Sequence, residues 1–126
     1  MRYSHQRELI LREVRSRMDH PTAEMICTAL RAESPRLSLG TVYRDLNTLV
    51  EKGDIRRVSV PGGADRFDGE TTPHQHLYCR RCHRVESLYI PDRKLQDFID
   101  ACPGVRAESY SLIAFGLCSD CSKEEA

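Results

Sequence analysis

Two cysteine pairs, Cys79-x-x-Cys82 and Cys118-x-x-Cys121, are the residues whose type and spacing say most about chemistry in this sequence. Each such knuckle bends the backbone so that both sulfurs face one point. Two knuckles together make a tetrahedral thiolate shell that suits Zn(II) at ~2.3 Å per Zn–S bond. The competing readings are a redox dithiol and chance spacing. A closed four-sulfur shell has no open coordination position, so the set is structural and not catalytic. Cys27 and Cys102 stand apart. Each falls on the apolar stripe of an expected helix, where a free cysteine packs as a small hydrophobe.

The histidines suggest a second kind of site. His74 and His76 alternate along an extended segment and so point to one face. Asp68 lies six residues upstream, and His20 sits at an expected helix junction. Imidazoles with a carboxylate and no thiolate suit Fe(II), Mn(II), Zn(II) or similar ions. From spacing alone, His74 and His76 read at least as well as a solvated His-x-His pair as they do as two ligands. Ligands drawn from both halves of the chain and the hinge would let a metal lock one half against the other.

The elements that must carry these residues begin with three helices. Ser4 is expected to cap a helix running through Met18, with Leu11, Val14 and Met18 on one side. His20-Pro21 ends it, because a residue before proline is pushed out of the helical region. The second helix runs from about Thr22 to Ala32 with Ala23, Ile26, Cys27 and Leu30 as its stripe. Ser38 caps the third, Leu39 to about Lys52, which Gly53 closes. Leu39, Val42, Leu46, Leu49 and Val50 form its buried face, and Thr41, Arg44, Asp45, Thr48 and Glu51 the opposite one, with Tyr43 at the boundary. Gly40 costs that helix roughly 1 kcal/mol against alanine, which marks it as a candidate for close approach by another group.

A hairpin follows: Ile55–Val60, a Pro61-Gly62-Gly63 turn, then Asp65–Asp68. Three helices followed by a two-stranded hairpin is the order of a winged helix, whose third helix enters the DNA major groove, and equally that of any small helical domain with a hairpin. Beyond the segment Gly69–Pro73, read as a linker, come strands near His76–Cys79 and Val85–Ile90. A helix Asp92–Cys102 follows, with Leu95, Phe98, Ile99 and Cys102 on one face, and then a strand from about Ala107 to Phe115.

Bulk properties narrow the function classes. With 30% charged and 40% hydrophobic residues the chain is globular and not disordered. No apolar stretch approaches the ~20 residues needed to span a membrane, and no signal-peptide core follows Met1, so a cytoplasmic protein is expected. The net charge is zero, yet residues 1–66 carry 12 Lys/Arg against 9 Asp/Glu and residues 67–126 carry 7 against 10. The basic first half agrees with a nucleic-acid partner.

Taken together, His20-Pro-Thr-Ala-Glu, Ser38-Leu-Gly-Thr-Val-Tyr-Arg-Asp-Leu46, Arg66-Phe-Asp68, His74-Gln-His76 and the two cysteine knuckles resemble, in that order, the ferric-uptake-regulator (Fur) family of repressors. The resemblance runs from about Arg2 to Ser122. The aspartate of Arg-Phe-Asp and the His-x-His pair look most like its peroxide-responsive (PerR) branch; iron-responsive members more often carry glutamate at the position of Asp68. The resemblance implies a homodimer with one structural zinc per subunit at Cys79, Cys82, Cys118 and Cys121. It implies regulatory Fe(II) or Mn(II) at His20, Asp68, His74 and His76. It also implies that Tyr43 and Arg44 reach the major groove of a palindromic operator, and Thr41 on the same side joins them as a candidate contact. Without the family, Tyr43 reads as a half-buried helix residue and Arg44 as a solvated charge.

Three departures qualify the match. The chain begins where such relatives have one further helix, so the resemblance leaves out a helix that helps grip DNA. Ser87 stands where peroxide-responsive relatives carry an acidic fifth ligand, with Glu86 beside it as a possible substitute or water in its place. Ser109 and Tyr110 replace histidines found in many relatives, so no further metal site is expected there.

The resulting expectation is an α+β chain: a winged helix-turn-helix at 1–68, a linker at 69–73, and a small α/β dimerisation and metal-binding domain at 74–126. It would act as a metal-dependent transcriptional repressor responding to peroxide, with iron or zinc sensing as the alternative. A zinc hydrolase built on Asp68, His74 and His76 would need an open site with a substrate pocket, which nothing in the sequence suggests. A zinc-ribbon interaction module would leave the second metal dispensable for DNA binding.

Overall fold

The computed structural model describes residues 2–72 and 74–125, with side chains over 5–72 and 74–124. The chain divides into two compact units, one ending at Thr71 and the other beginning at Thr72. Pro73, the last residue of the expected linker, lies outside the described residues, as does any cap made by the Ser4 side chain.

The first unit opens with helix α1 (Arg2–Ser16), so the backbone is already helical before Ser4. Ile10 and Val14, one helical turn apart, are fully buried, while Leu11 is half-buried. Met18 is not on that stripe; it is 93% exposed, because the helix stops at Ser16 and Arg17 turns to fork onto Asp19 at 2.9 and 2.8 Å. Helix α2 (Ala23–Leu30) is capped by Thr22, whose hydroxyl accepts the Met25 N–H, and buries Ala23, Ile26, Cys27 and Leu30 as its pattern demands.

Helix α3 (Leu39–Glu51) is capped by Ser38 accepting the Thr41 N–H at 3.1 Å. It ends in a Schellman arrangement: Asp54 N–H donates to Leu49 O, Gly53 N–H to Val50 O, and Gly53 takes the left-handed conformation at φ +81°. Val42, Leu46 and Leu49 are buried against α1 and α2, joined by Ile26, Ile55 and Phe67 in one core. Asp45 departs from the expected exposed face. It is fully buried, with its carboxylate 3.6 Å from the Arg7 guanidinium of α1. Gly40 is not a site of close approach among the described residues, since a Cβ there would meet nothing within 4 Å.

Strands β1 (Arg56–Val58) and β2 (Arg66–Asp68) pair antiparallel, Arg57 opposite Phe67. They are shorter than expected because Val60-Pro61-Gly62-Gly63 closes a type II turn inside a wider loop, with Gly63 N–H donating to Val60 O and Gly62 at φ +77°.

In the second unit β3 (Gln75–Cys79) is the central strand of a three-stranded sheet. It pairs antiparallel with β4 (Val85–Leu88) and parallel with β5 (Ile113–Gly116). The strand expected from Ala107 begins only at Ile113, which the parallel register sets beside His76 near the start of β3. Tyr110 instead hydrogen-bonds Asp92 at the start of helix α4 (Asp92–Asp100). None of the residues of α4 is buried; Phe98 is 77% exposed, and Cys102, past the helix end, is exposed as well. Leu95 and Ile99 of its apolar stripe are half-buried while Phe98 is left open, and Cys102 is not a packed core residue. Helix α5 (Ser119–Glu125) closes the unit.

Candidate metal centres and nucleic-acid interface

The four knuckle cysteines converge within the second unit. β3 delivers Cys79, the turn into β4 delivers Cys82, and the start of α5 delivers Cys118 and Cys121. Their sulfurs all lie within 4.8 Å of one another, with Cys82 Sγ 3.7 Å from Cys118 Sγ. A tetrahedron of ~2.3 Å Zn–S bonds has edges of ~3.8 Å, so the set fits Zn(II). The two knuckles share one local geometry: the first sulfur of each accepts the N–H of the second cysteine, Cys82 to Cys79 and Cys121 to Cys118, both at 3.5 Å. The Cys82 N–H is the main cause holding the Cys79 thiol down to about 6, whereas burial pushes the Cys121 thiol up to about 12. Bound zinc would replace the protons of all four.

Apart from Val85, the buried apolar residues described in this unit are three of the cluster cysteines. Cys79, Cys118 and Cys121 form a small core flanked by Leu77 and Leu117. A unit this small rarely folds on so little apolar burial, whereas structural zinc supplies ~10–16 kcal/mol of apparent binding energy in small peptides.

The imidazole and carboxylate residues form one pair in each unit. In the first, His20 follows α1 and Asp68 ends β2, and His20 Nε2 stands 3.2 Å from Asp68 Oδ2, both groups buried. Asp68 Oδ1 accepts the Glu70 N–H at 2.9 Å. In the second, the buried rings of His74 and His76 have centroids 4.6 Å apart. His74 Nδ1 lies 2.8 Å from Thr72 O, an arrangement that directs Nε2 toward any ligand, as backbone partners commonly do for metal-binding histidines. Tyr89 stacks on the His74 ring at 5.4 Å.

Glu86 does not join the histidines. The β3–β4 register pairs His76 with Ser87 and Leu77 with Glu86, so Ser87 shares the face of His76 and Glu86 points to the other. Its Oε1 accepts the Ser119 hydroxyl at 2.7 Å and the Ser119 N–H at 3.2 Å, tying β4 to the second cysteine knuckle. The expectation of Glu86 as a fifth regulatory ligand is thereby corrected. The strand period of two decided it, and that was readable only once the register was known.

On α3, Tyr43 and Arg44 are exposed and Thr41 is half-buried, all on the side away from the core. Arg66, named in the sequence only as part of the Arg66-Phe-Asp68 motif, has a structural role. Its Nη1 donates to the backbone oxygens of Asp19 and His20 at 3.4 and 3.2 Å.

A model of the ferric uptake regulator family matches residues 1–114. The chain belongs to that family. The peroxide operon regulator of Bacillus subtilis is 30% identical over 99% of this chain and 87% of its own length. Among solved structures, the Campylobacter jejuni peroxide stress regulator matches with a TM-score of 0.76 and 28% identity, over 95% of this chain and 91% of that one. The Helicobacter pylori ferric uptake regulator has a TM-score of 0.82 at 22% identity, covering 97% and 83%, a likeness of fold. As a family member the chain is a metal-responsive regulator of transcription and not an enzyme, which sets aside the zinc hydrolase. Its cysteine cluster is a zinc site. No described helix is long and apolar enough to cross a membrane.

Proposed function

We propose that this family member is a cytoplasmic, homodimeric repressor that binds a palindromic operator when a regulatory metal is present and releases it in response to peroxide. His20 and Asp68 from the winged helix, with His74 and His76 from the dimerisation domain, are the ligands of that metal. The observation that carries the reading is the donor set: two buried pairs of imidazole and carboxylate groups without a thiolate. Such donors suit Fe(II) or Mn(II). Ser87, on the His76 face, leaves a coordination position for water in place of an acidic ligand. Metal occupancy would tie the two domains together and shift the population toward the DNA-competent dimer.

Tyr43 and Arg44, with Thr41, are the groups of α3 that would enter the major groove, Arg44 at a base edge. The stripe of α4, half-buried at Leu95 and Ile99 and open at Phe98, supports a second copy of the chain as the dimer partner.

Bound Fe(II) would supply the electrons that activate peroxide. The ligand imidazoles are then the nearest oxidisable groups, because no thiolate is among them. Anaerobic Fe(II) loading followed by a peroxide pulse should add one oxygen to His20 or His74 and abolish operator binding. Mn(II)-loaded protein should be unchanged. Peptide mass mapping reads the outcome. Unmodified histidines with operator binding retained would move the protein to iron or zinc sensing, and oxidised Cys79 or Cys82 would indicate a thiol switch.

A further inference from the structure

His20 lies at φ +52°, a left-handed conformation that residues other than glycine adopt only where their surroundings impose it. Strand β2 is what imposes it. Arg66 Nη1 donates to the carbonyls of Asp19 and His20, Phe67 N–H donates to Pro21 O at 2.9 Å, and Thr22 and Arg66 form an isolated antiparallel bridge. The next residue of the same strand is Asp68, whose Oδ1 is held by the Glu70 N–H while Oδ2 faces His20. Gly69 then presses against α1. A Cβ at this position would lie 2.8 Å from the Arg15 Cα and 3.1 Å from its Cγ, too close for either backbone to stay where it is.

We propose that Arg66, supported by Gly69, is a positioning residue that builds a two-ligand half-site inside the winged-helix unit before any metal arrives. The proposal rests on the regulatory-metal reading above. One short strand performs both tasks: Arg66 and Phe67 hold the loop that carries His20, and Asp68 supplies the facing carboxylate. Without the Arg66 guanidinium the Asp19 and His20 carbonyls lose their shared donor. The His20 backbone can then relax toward the right-handed region and carry its ring away from Asp68. An alanine at position 69 would instead shift the turn that follows Asp68. Metal affinity would fall in either case, because a preformed ligand pair need not be ordered at the moment of binding. Losing an outer-sphere partner of this kind costs ~10–100-fold in metal affinity.

The test uses the full chain with its structural zinc, titrated anaerobically with Mn(II) and followed by the EPR signals of free and bound Mn(II). Zinc content and a thermal melt are measured on the same samples. Arg66→Gln should weaken Mn(II) binding by at least ~10-fold with zinc retained. Arg66→Lys, which keeps a donor for one carbonyl, should recover part of the loss, and Gly69→Ala should weaken binding as well. His20→Ala and Asp68→Ala distinguish the two layers of the argument. If they leave Mn(II) binding intact, the regulatory-site reading fails and the positioning role fails with it. If they abolish binding while Arg66→Gln and Gly69→Ala match the parent, the site stands and the positioning role is wrong. Should Arg66→Gln lose its cooperative melt, Arg66→Lys and Gly69→Ala decide: weakened Mn(II) binding in both supports the role, and parental affinity in either one overturns it.

Discussion

Arg44 and Asp45 are neighbours on α3 with opposite surroundings. A helix turns about 100° per residue, so one step carries the chain from the exposed Arg44 to the fully buried Asp45. Asp45 is tolerated inside because Arg7 on α1 faces it at 3.6 Å, although among the described residues neither carboxylate oxygen has a hydrogen-bond partner. Arg44 stays outside, where its planar guanidinium can pair with a guanine edge. Arg44→Ala should weaken operator binding by ~1–3 kcal/mol and narrow the gap between operator and random DNA. Fluorescence anisotropy on both DNAs at one fixed salt concentration measures this. Parental affinity for both would remove Arg44 from the reading residues.

At the scale of elements, the second cysteine knuckle closes the C-terminal unit. Cys118 and Cys121 reach Cys79 and Cys82 only because α5 starts beside β4, and Glu86 holds that start through Ser119. With so few apolar side chains buried here, the zinc shell acts as the core. Cys118→Ser should therefore eject zinc and unfold or monomerise this unit, while the winged helix, with its own core of Ile10, Val14, Ile26 and Phe67, keeps its helical signal. Metal analysis together with sedimentation velocity checks both parts. A zinc-free Cys118→Ser protein that stayed a folded dimer would refute the assignment. The same element logic explains α4: its sequence is amphipathic, yet among the described residues its unit covers Leu95 and Ile99 only in part and leaves Phe98 exposed.

The whole molecule combines a basic first half with an acidic second half carrying exposed apolar side chains. Phe98, Val105 and Phe115 are each more than half exposed. Exposed groups of this kind on a small sheet-and-helix unit suit a two-fold interface, in which each copy covers the same face of the other. On the reading proposed above, a dimer would present two α3 helices to one DNA molecule, and a two-fold operator would match it. Phe98→Asp, which sets a carboxylate on that stripe, should shift the protein from dimer to monomer and lower operator affinity without loss of zinc. Analytical ultracentrifugation at micromolar concentration, with a metal assay alongside, tests this; a dimer of unchanged stability would place the interface elsewhere. Operator binding should also weaken steeply as salt rises, since each phosphate contact releases counterions.

Local chemistry was legible in the amino-acid order because its causes are local. The knuckle spacing, the Ser38 cap, Gly53 at a helix end and the stripe of α2 all depend on residues a few positions apart. The family resemblance then tied these pieces to one function. What lay beyond the sequence depended on partners distant along the chain. Asp45 faces Arg7 inside, and β5 extends only over Ile113–Gly116, the stretch set beside His76–Cys79 of β3. Glu86 turns from the histidines because the β3–β4 register sets it opposite Leu77. His20 holds a left-handed backbone under hydrogen bonds from Arg66, 46 residues away. A side chain's type states which bonds it can make, whereas register and long-range packing decide which of them it does make.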